Sequence, residues 1–288
     1  MQVTGNKSFR CIENLSAGSD PVPSAMYHIS ILLRPDGFSF CVYRPSDRQM
    51  QMYRNYEIVS AALPAVTDAA AWEAAGKAYA GVFLEDEWLQ QTYAACDVYS
   101  DFPLSTLVPS AFADPDLADL YFQPCADGLA SQMAFHSEPL ASGDASVFFG
   151  VPTAWETLWQ PLSTAVRWHH LTTGLVEHLQ RQADGCRLHL ALTAGHVAVL
   201  LHDSVRGMLH HQTYEACTAA DVLYYALGVL QLHGVAPSAC AVTCQSTTTR
   251  LAADEVCGML RPWFGDVSSL TDAGTWQGPP FDSLNTPQ

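Results

Sequence analysis

Positive charge is scarce in this chain. Its 288 residues carry 13 Lys and Arg against 29 Asp and Glu, a formal net charge of −16 at pH 7. Such a surface repels phosphate backbones and anionic lipid, which argues against nucleic acid or a membrane surface as partner. The same charge serves either solubility or an acidic docking face. Long apolar runs are missing as well. No uncharged stretch reaches the roughly 18 residues that a membrane span needs. The first residues, MQVTGNKSFRCIENLSAGSD, lack the apolar centre of a secretory signal. The nine cysteines include no C-x-x-C pair and most sit within apolar runs. They read as reduced thiols used as small core residues, not as a disulfide framework or zinc knuckle. The expectation is a cytoplasmic protein.

Reactive signatures are absent too. There is no H-E-x-x-H, no deaminase-type zinc spacing and no G-x-S-x-G. The eleven histidines include the pairs His169-His170 and His210-His211. On strands, neighbours point to opposite faces, so neither pair chelates one ion by itself. His189 and His202, on neighbouring strands, are the remaining metal candidates, against a reading as core or surface histidines. Glu85, Asp86 and Glu87 are adjacent and unsuited to opposed acid–base roles; they read as a solvated face. The sequence assigns no catalytic residue, no metal and no cofactor.

A large apolar complement is what the chain does have. It is 49% hydrophobic and 15% charged, which describes a globular protein of one large or two medium domains. YHISILLR and FSFCVY alternate in polarity around RPDG, where Pro35 presets its backbone angle, Asp36 caps the turn and Gly37 supplies a positive φ. MYRNYEIVS completes a meander. A helix over TDAAAWEAAGKAYAGVFLEDEWL follows, capped by Thr67 or Asp68, then a strand over TYAACDVYS. STLVPSAFADPDLADLYF reads as a loop and short helix, ASVFFGVP as a buried strand, TAWETLWQPLSTA as a helix and VRWHH as a strand. The second half repeats this order. CRLHLALT, HVAVLLHD and VRGMLHHQTYEA form a meander, and TAADVLYYALGVLQLHG is a helix capped by Thr218 and stopped by Gly234. ACAVTC is a strand, TTTRLAADEVCGMLR a helix with Thr248 or Thr249 as its cap, and WFGDV a last strand. Trp155 and Trp159 share a helix face, as core or as a docking patch. The expected division is a flexible arm over 1–22, a first domain over 23–165, a second over 166–265 and an irregular tail over 266–288 that Trp276 and Phe281 could anchor.

Strand directly following strand at the head of each half fits a duplicated α/β protein better than a doubly wound dinucleotide fold. The pattern resembles the actin-like ATPase superfamily, whose two ribonuclease H-like domains each begin with such a meander. More narrowly, YHISILLRPDGFSFCVY, STLVPSAF, VFFGVPTAWETLWQPL and GMLHHQTYEACTAADVLYYALGVLQL resemble a family of uncharacterised bacteroidete proteins known only as a domain of unknown function. The likeness covers residues 24 to 262. The segment from VFFGVP through the second meander also resembles pilus- and secretion-associated members of the superfamily. The fold class implied is α/β: two duplicated actin-like domains, each a mixed sheet headed by a three-stranded meander with flanking helices.

That resemblance implies a nucleotide cleft between the domains, and its ligands can be sought one by one. The first hairpin should offer a carboxylate at its strand end and a glycine-rich turn of backbone amides. It offers Arg34, Pro35 without an N–H, Asp36 and Gly37. The second should repeat Asp-x-Gly; it offers Thr193-Ala194-Gly195. The late turn that should admit adenosine reads VTCQSTTTR, with Thr247 and Thr248 but no glycine. Each charge-assisted hydrogen bond lost is worth roughly 1.5–3 kcal/mol, and each 1.4 kcal/mol is tenfold in affinity. The expectation is a non-catalytic binding or scaffold protein with a degenerate nucleotide site and a protein partner. Arg34, Asp36, Gly37, Thr193, Gly195, Thr247 and Thr248 would line the cleft. The alternative is a nucleotide-binding ATPase-like enzyme with atypical phosphate and Mg²⁺ ligands, in which Arg34, Asp36 and the Thr247–Thr249 turn line the cleft.

Overall fold

In the computed structural model, the described residues are 9–16, 26–47, 49–58, 69–123, 132–181, 184–248 and 250–269. The first hairpin forms where alternation and turn chemistry place it. Strand β2 (His28–Arg34) pairs antiparallel with β3 (Gly37–Tyr43), and Leu33 lies opposite Phe38. Strand β4 (Met50–Ile58) completes the meander. Beyond it lies β1 (Phe9–Ser16), antiparallel to β4. Residues 9–16 therefore depart from the expected loose arm: Phe9 packs its ring against Phe38 and Tyr79, which anchors the segment as an edge strand. On the other side of β2, β5 (Ala95–Ser100) and then β9 (Val166–His170) run parallel. The six-stranded order is β1-β4-β3-β2-β5-β9.

The second sheet has the order β12-β11-β10-β13-β14. Here β10 (Cys186–Thr193), β11 (His196–Asp203) and β12 (Gly207–Glu215) form the meander, while β13 (Cys240–Ser246) and β14 (Asp266–Ser269) run parallel to β10. Without β1 the first sheet reads β4-β3-β2-β5-β9, so the two sheets share one topology. Helix α1 (Ala69–Glu85) follows the first meander and α5 (Ala219–Leu232) the second. The crossover into β14 is α6 (Ala253–Leu260). The crossover into β9 instead contains a small third sheet, β6-β8-β7, built from Ser105–Pro109, Ala145–Pro152 and Met133–Pro139. It also carries the short helices α2 (Ala118–Phe122) and α3 (Thr153–Glu156).

Two differences from the sequence reading follow from pairing. Val166–His170, expected to open the second domain, belongs to the first sheet, and the chain crosses to the second through α4 (Leu171–Arg181). The long helix expected over residues 153–165 is only α3 and a single 3₁₀ turn at 160–162, with Pro161 at its start. The expected caps Thr67, Asp68 and Thr249, and the tail residues Trp276 and Phe281, lie outside the described residues.

The core is aromatic in the first lobe and aliphatic in the second. Trp155 and Trp159 are 1% and 0% exposed, so both are core residues, although Trp159 lies beyond the end of α3 and the two do not share a helix face. Trp155 donates Nε1–H to Trp72 O at 3.0 Å and packs edge-on against Trp72 and Tyr79. A third cluster, with Phe149, Val176 and Leu200, joins the small sheet and α4 to the second meander. The eight described cysteines are free thiols. No described helix is long and apolar enough to cross a membrane.

Candidate functional site at the strand ends between the lobes

The carboxyl ends of β2, β5, β10 and β13 converge, as the ends of parallel strands do where α/β proteins bind ligands. Each delivers one or two polar side chains. Arg34 ends β2, and the turn Pro35-Asp36 leads into Gly37. A Cβ on Gly37 would stand 2.0 Å from Tyr56 O on β4. Close approach of backbone to backbone is therefore what demands glycine here.

Arg34 is 3% exposed and fully engaged. Its guanidinium donates to Asp36 Oδ1 at 3.2 Å, Asn55 Oδ1 at 2.8 Å, and Ser39 Oγ and Tyr56 O at 3.4 Å. A buried cation persists only with such partners. Its carbonyl accepts from the Tyr79 hydroxyl at 2.8 Å. Asp36 is also 3% exposed. Arg34 holds one of its oxygens; the other accepts the Thr248 hydroxyl, 2.6 Å away and 212 residues along the chain. Thr248 was expected as a cap of the following helix. That helix instead begins after Ala252, without a side-chain cap, and the Thr248 hydroxyl bridges the lobes. The same hydroxyl oxygen accepts Arg250 N–H at 3.1 Å.

A second bridge lies beside the first. Thr247 N–H donates to Leu192 O at 3.0 Å, and its hydroxyl donates to Asp101 Oδ2. Asp101 immediately follows β5, its N–H bonded to Leu33 O at 2.8 Å. Burial pushes its carboxyl up to about 7, against the pull of the Thr247 and Thr193 hydroxyls and Arg34; nearby Asp36 adds to the rise. Sequence reasoning missed Asp101. The available signal was its place at the end of the strand that neighbours β2 in parallel, which required the pairing to be known.

Thr193 and Gly195 flank the second hairpin turn. Gly195 has φ of +78°, a conformation glycine adopts without cost. Thr193, Ala194 and His196 are buried. The Thr193 hydroxyl has no hydrogen-bond partner among the described residues, though it lies near enough to Asp101 to lower its carboxyl. Gln245 Oε1 and His189 Nε2 are also buried and unpartnered on the same sheet face, where Ala191 pairs with Gln245 and His189 with Thr243. Burial drives the His189 imidazole down to about 3. His189 and His202 sit on neighbouring strands out of register, since His202 pairs with Arg187. No group of three or more His, Cys, Asp or Glu suited to a metal occurs among the described residues.

Two sets of polar residues away from the cleft are satisfied in ways their local sequence does not announce. Asp86, expected on a solvated face, is 3% exposed. It accepts from Tyr56 OH at 2.6 Å and pairs with Arg54 at 2.8 Å. His169 and His170 do point apart: His169 lies between Asp97 and Glu138, and His170 Nε2 meets Phe102 O at 2.9 Å.

Comparison with known proteins agrees with this architecture. A family model described as "Protein of unknown function (DUF3822)" matches residues 19–260. No curated protein matches the chain. A Bacteroides thetaiotaomicron protein, described as having an actin-like ATPase fold and unknown function, superposes with a TM-score of 0.74. The two are 17% identical, over 92% of this chain and 97% of that one. The ethanolamine utilization protein EutJ from Carboxydothermus hydrogenoformans matches at 9% identity and a TM-score of 0.43, covering 93% and 89%.

Proposed function

Given that this chain belongs to the DUF3822 family and has an actin-like ATPase fold, we propose that it is a non-catalytic binding or scaffold protein whose cleft is held by its own side chains. The observation that carries this reading is the engagement of Asp36. In the resemblance this carboxylate stands nearest the metal and phosphate position, yet one oxygen accepts from Arg34 and the other from Thr248 across the lobes. A Mg²⁺–triphosphate would have to displace both bonds. It would meet Pro35, which has no N–H to offer. Thr193-Ala194-Gly195 contributes no carboxylate in compensation. The functional product on this reading is shape: two lobes fixed relative to each other and presented to a protein partner.

The competing reading, a nucleotide-binding enzyme with atypical ligands, draws on Asp101, a cleft carboxyl close to neutrality. Melting temperature with Mg-ATP, ADP or GTP separates the two. The scaffold reading expects no saturable shift with any of them. A saturable rise that Asp101→Asn or Gly195→Trp abolishes would establish the enzyme-like alternative.

A further inference from the structure

The segment after β6 carries a group of exposed apolar side chains. Phe112 is 72% exposed, Leu117 43% and Leu120 46%. Exposed apolar residues on loose chain would be unremarkable, but this segment is pinned. The Tyr121 hydroxyl accepts Asp114 N–H at 3.1 Å and donates to the Phe112 carbonyl. Asp114 Oδ1 accepts Asp116 N–H at 3.0 Å. Ser110 donates its N–H to Asp144 O at 2.9 Å and its hydroxyl to Gly143 O at 2.7 Å. Beneath, the Tyr121 ring meets Phe148 at 4.7 Å, and Phe122 stacks on Phe135 at 5.4 Å. The buried rings fix the inner face, while the apolar outer residues remain in water. Leu117 and Leu120 are three apart at the start of α2, and Tyr121 ties Phe112 to the same turn.

The segment itself carries charge of one sign: residues 110–123 hold three carboxylates and no Lys, Arg or His. Asp114, Asp116 and Asp119 are exposed around Phe112, Leu117 and Leu120, and none forms an ion pair among the described residues. We propose that Phe112, Leu117 and Leu120, rimmed by these three aspartates, form a docking surface for a basic, apolar-faced segment of a partner protein. The charge selects this occupant. A second copy of the chain would bring another −16 against the same rim. Preorganisation lowers the ordering cost of binding, and the aromatic supplies the anchor.

The assignment rests on the binding-protein reading for its purpose, but its test is separate from the cleft. The probe is a fluorescein-labelled 14-residue amphipathic Leu/Lys peptide, titrated with the full chain by fluorescence anisotropy. A Lys-only peptide of equal charge and a Leu/Glu peptide of the same pattern are the controls. Saturable binding is expected for Leu/Lys alone, weakening as salt rises from 50 to 300 mM on the order of tenfold. Phe112→Ser and Leu120→Ser should each weaken it about tenfold or more, with melting temperatures unchanged because both side chains are exposed. The proposal is overturned if these variants bind like the parent, if Asp254→Asn with Glu255→Gln on α6 weakens binding as much, or if the Leu/Glu peptide binds equally. Self-association reversed by Phe112→Ser would overturn the choice of occupant. A nucleotide response in the cleft would defeat the scaffold reading and leave these outcomes as they stand.

Discussion

At the residue scale, the cleft is governed by two carboxyls that share one buried cation. Arg34 is in direct contact with Asp36 and acts on Asp101 only at a distance, where its charge partly offsets the burial that raises the Asp101 carboxyl. The pH dependence follows. Burial raises the native carboxyl from 3.8 to about 7, so the native state holds the proton that the unfolded chain gives up first. Its contribution is therefore complete below about pH 4 and is lost as pH rises through 7. Asp101→Asn should flatten the fall in melting temperature between pH 5 and 7.5; an unchanged slope would show that Asp101 is not the group responsible. Gly37→Ala should cost at least about 2 kcal/mol in denaturant unfolding, because the new Cβ meets backbone and not a side chain that can turn aside. The hairpin residues Arg34, Asp36 and Gly37 were legible from RPDG because turn chemistry is local. Asp101 was not, because its role exists only once β5 lies beside β2.

At the element scale, local signals that agree with tertiary packing were readable and those overruled by it were not. Helix α5 is capped as its sequence implies: Asp221 N–H donates to the Thr218 hydroxyl at 3.2 Å, and Asp221 Oδ2 accepts Thr218 N–H at 2.9 Å. Thr218→Ala should lower stability by about 1 kcal/mol in a urea titration. Strand β7 escaped notice because MAFHSEP carries His, Ser and Glu and ends in Pro. Its Glu138 finds distant partners. Glu138 accepts from the Thr173 hydroxyl at 2.6 Å and contacts His169 Nδ1 at 2.6 Å, while Arg167 donates twice to Asp97 at 2.6 and 2.9 Å. Burial alone would lower the His169 imidazole, but Asp97 and Glu138 raise it to about 9. A raised histidine stabilises fully below its unfolded value near 6.5, and that stabilisation disappears as pH rises through 9. The stability of His169→Gln should therefore fall less between pH 7 and 9.5 than that of the parent, measured by chemical denaturation.

At the scale of the whole molecule, the duplication was visible in element order despite negligible identity between halves, because the alternation of each meander is set by burial on a sheet. The boundary was harder to read. VRWHH looks like the opening of a second domain until its parallel partner β5 is known. The third sheet, inserted between β5 and β9, is what the second lobe lacks, and it carries the exposed Phe112 segment. The aromatic core beneath α1 ties this insertion to the first lobe through Trp155, and Trp155→Ala should cost about 3–5 kcal/mol by leaving a cavity among Trp72, Tyr79 and Phe102.

The most direct test of the account is calorimetric titration of Mg-ATP into the full chain, alongside Thr248→Val, which removes the hydroxyl bridge to Asp36. Self-occupied strand ends predict no saturable heat from the parent up to millimolar nucleotide. Micromolar binding by the parent that Asp36→Asn weakens tenfold or more would contradict it, since Asp36 would then be serving a ligand and not its own protein.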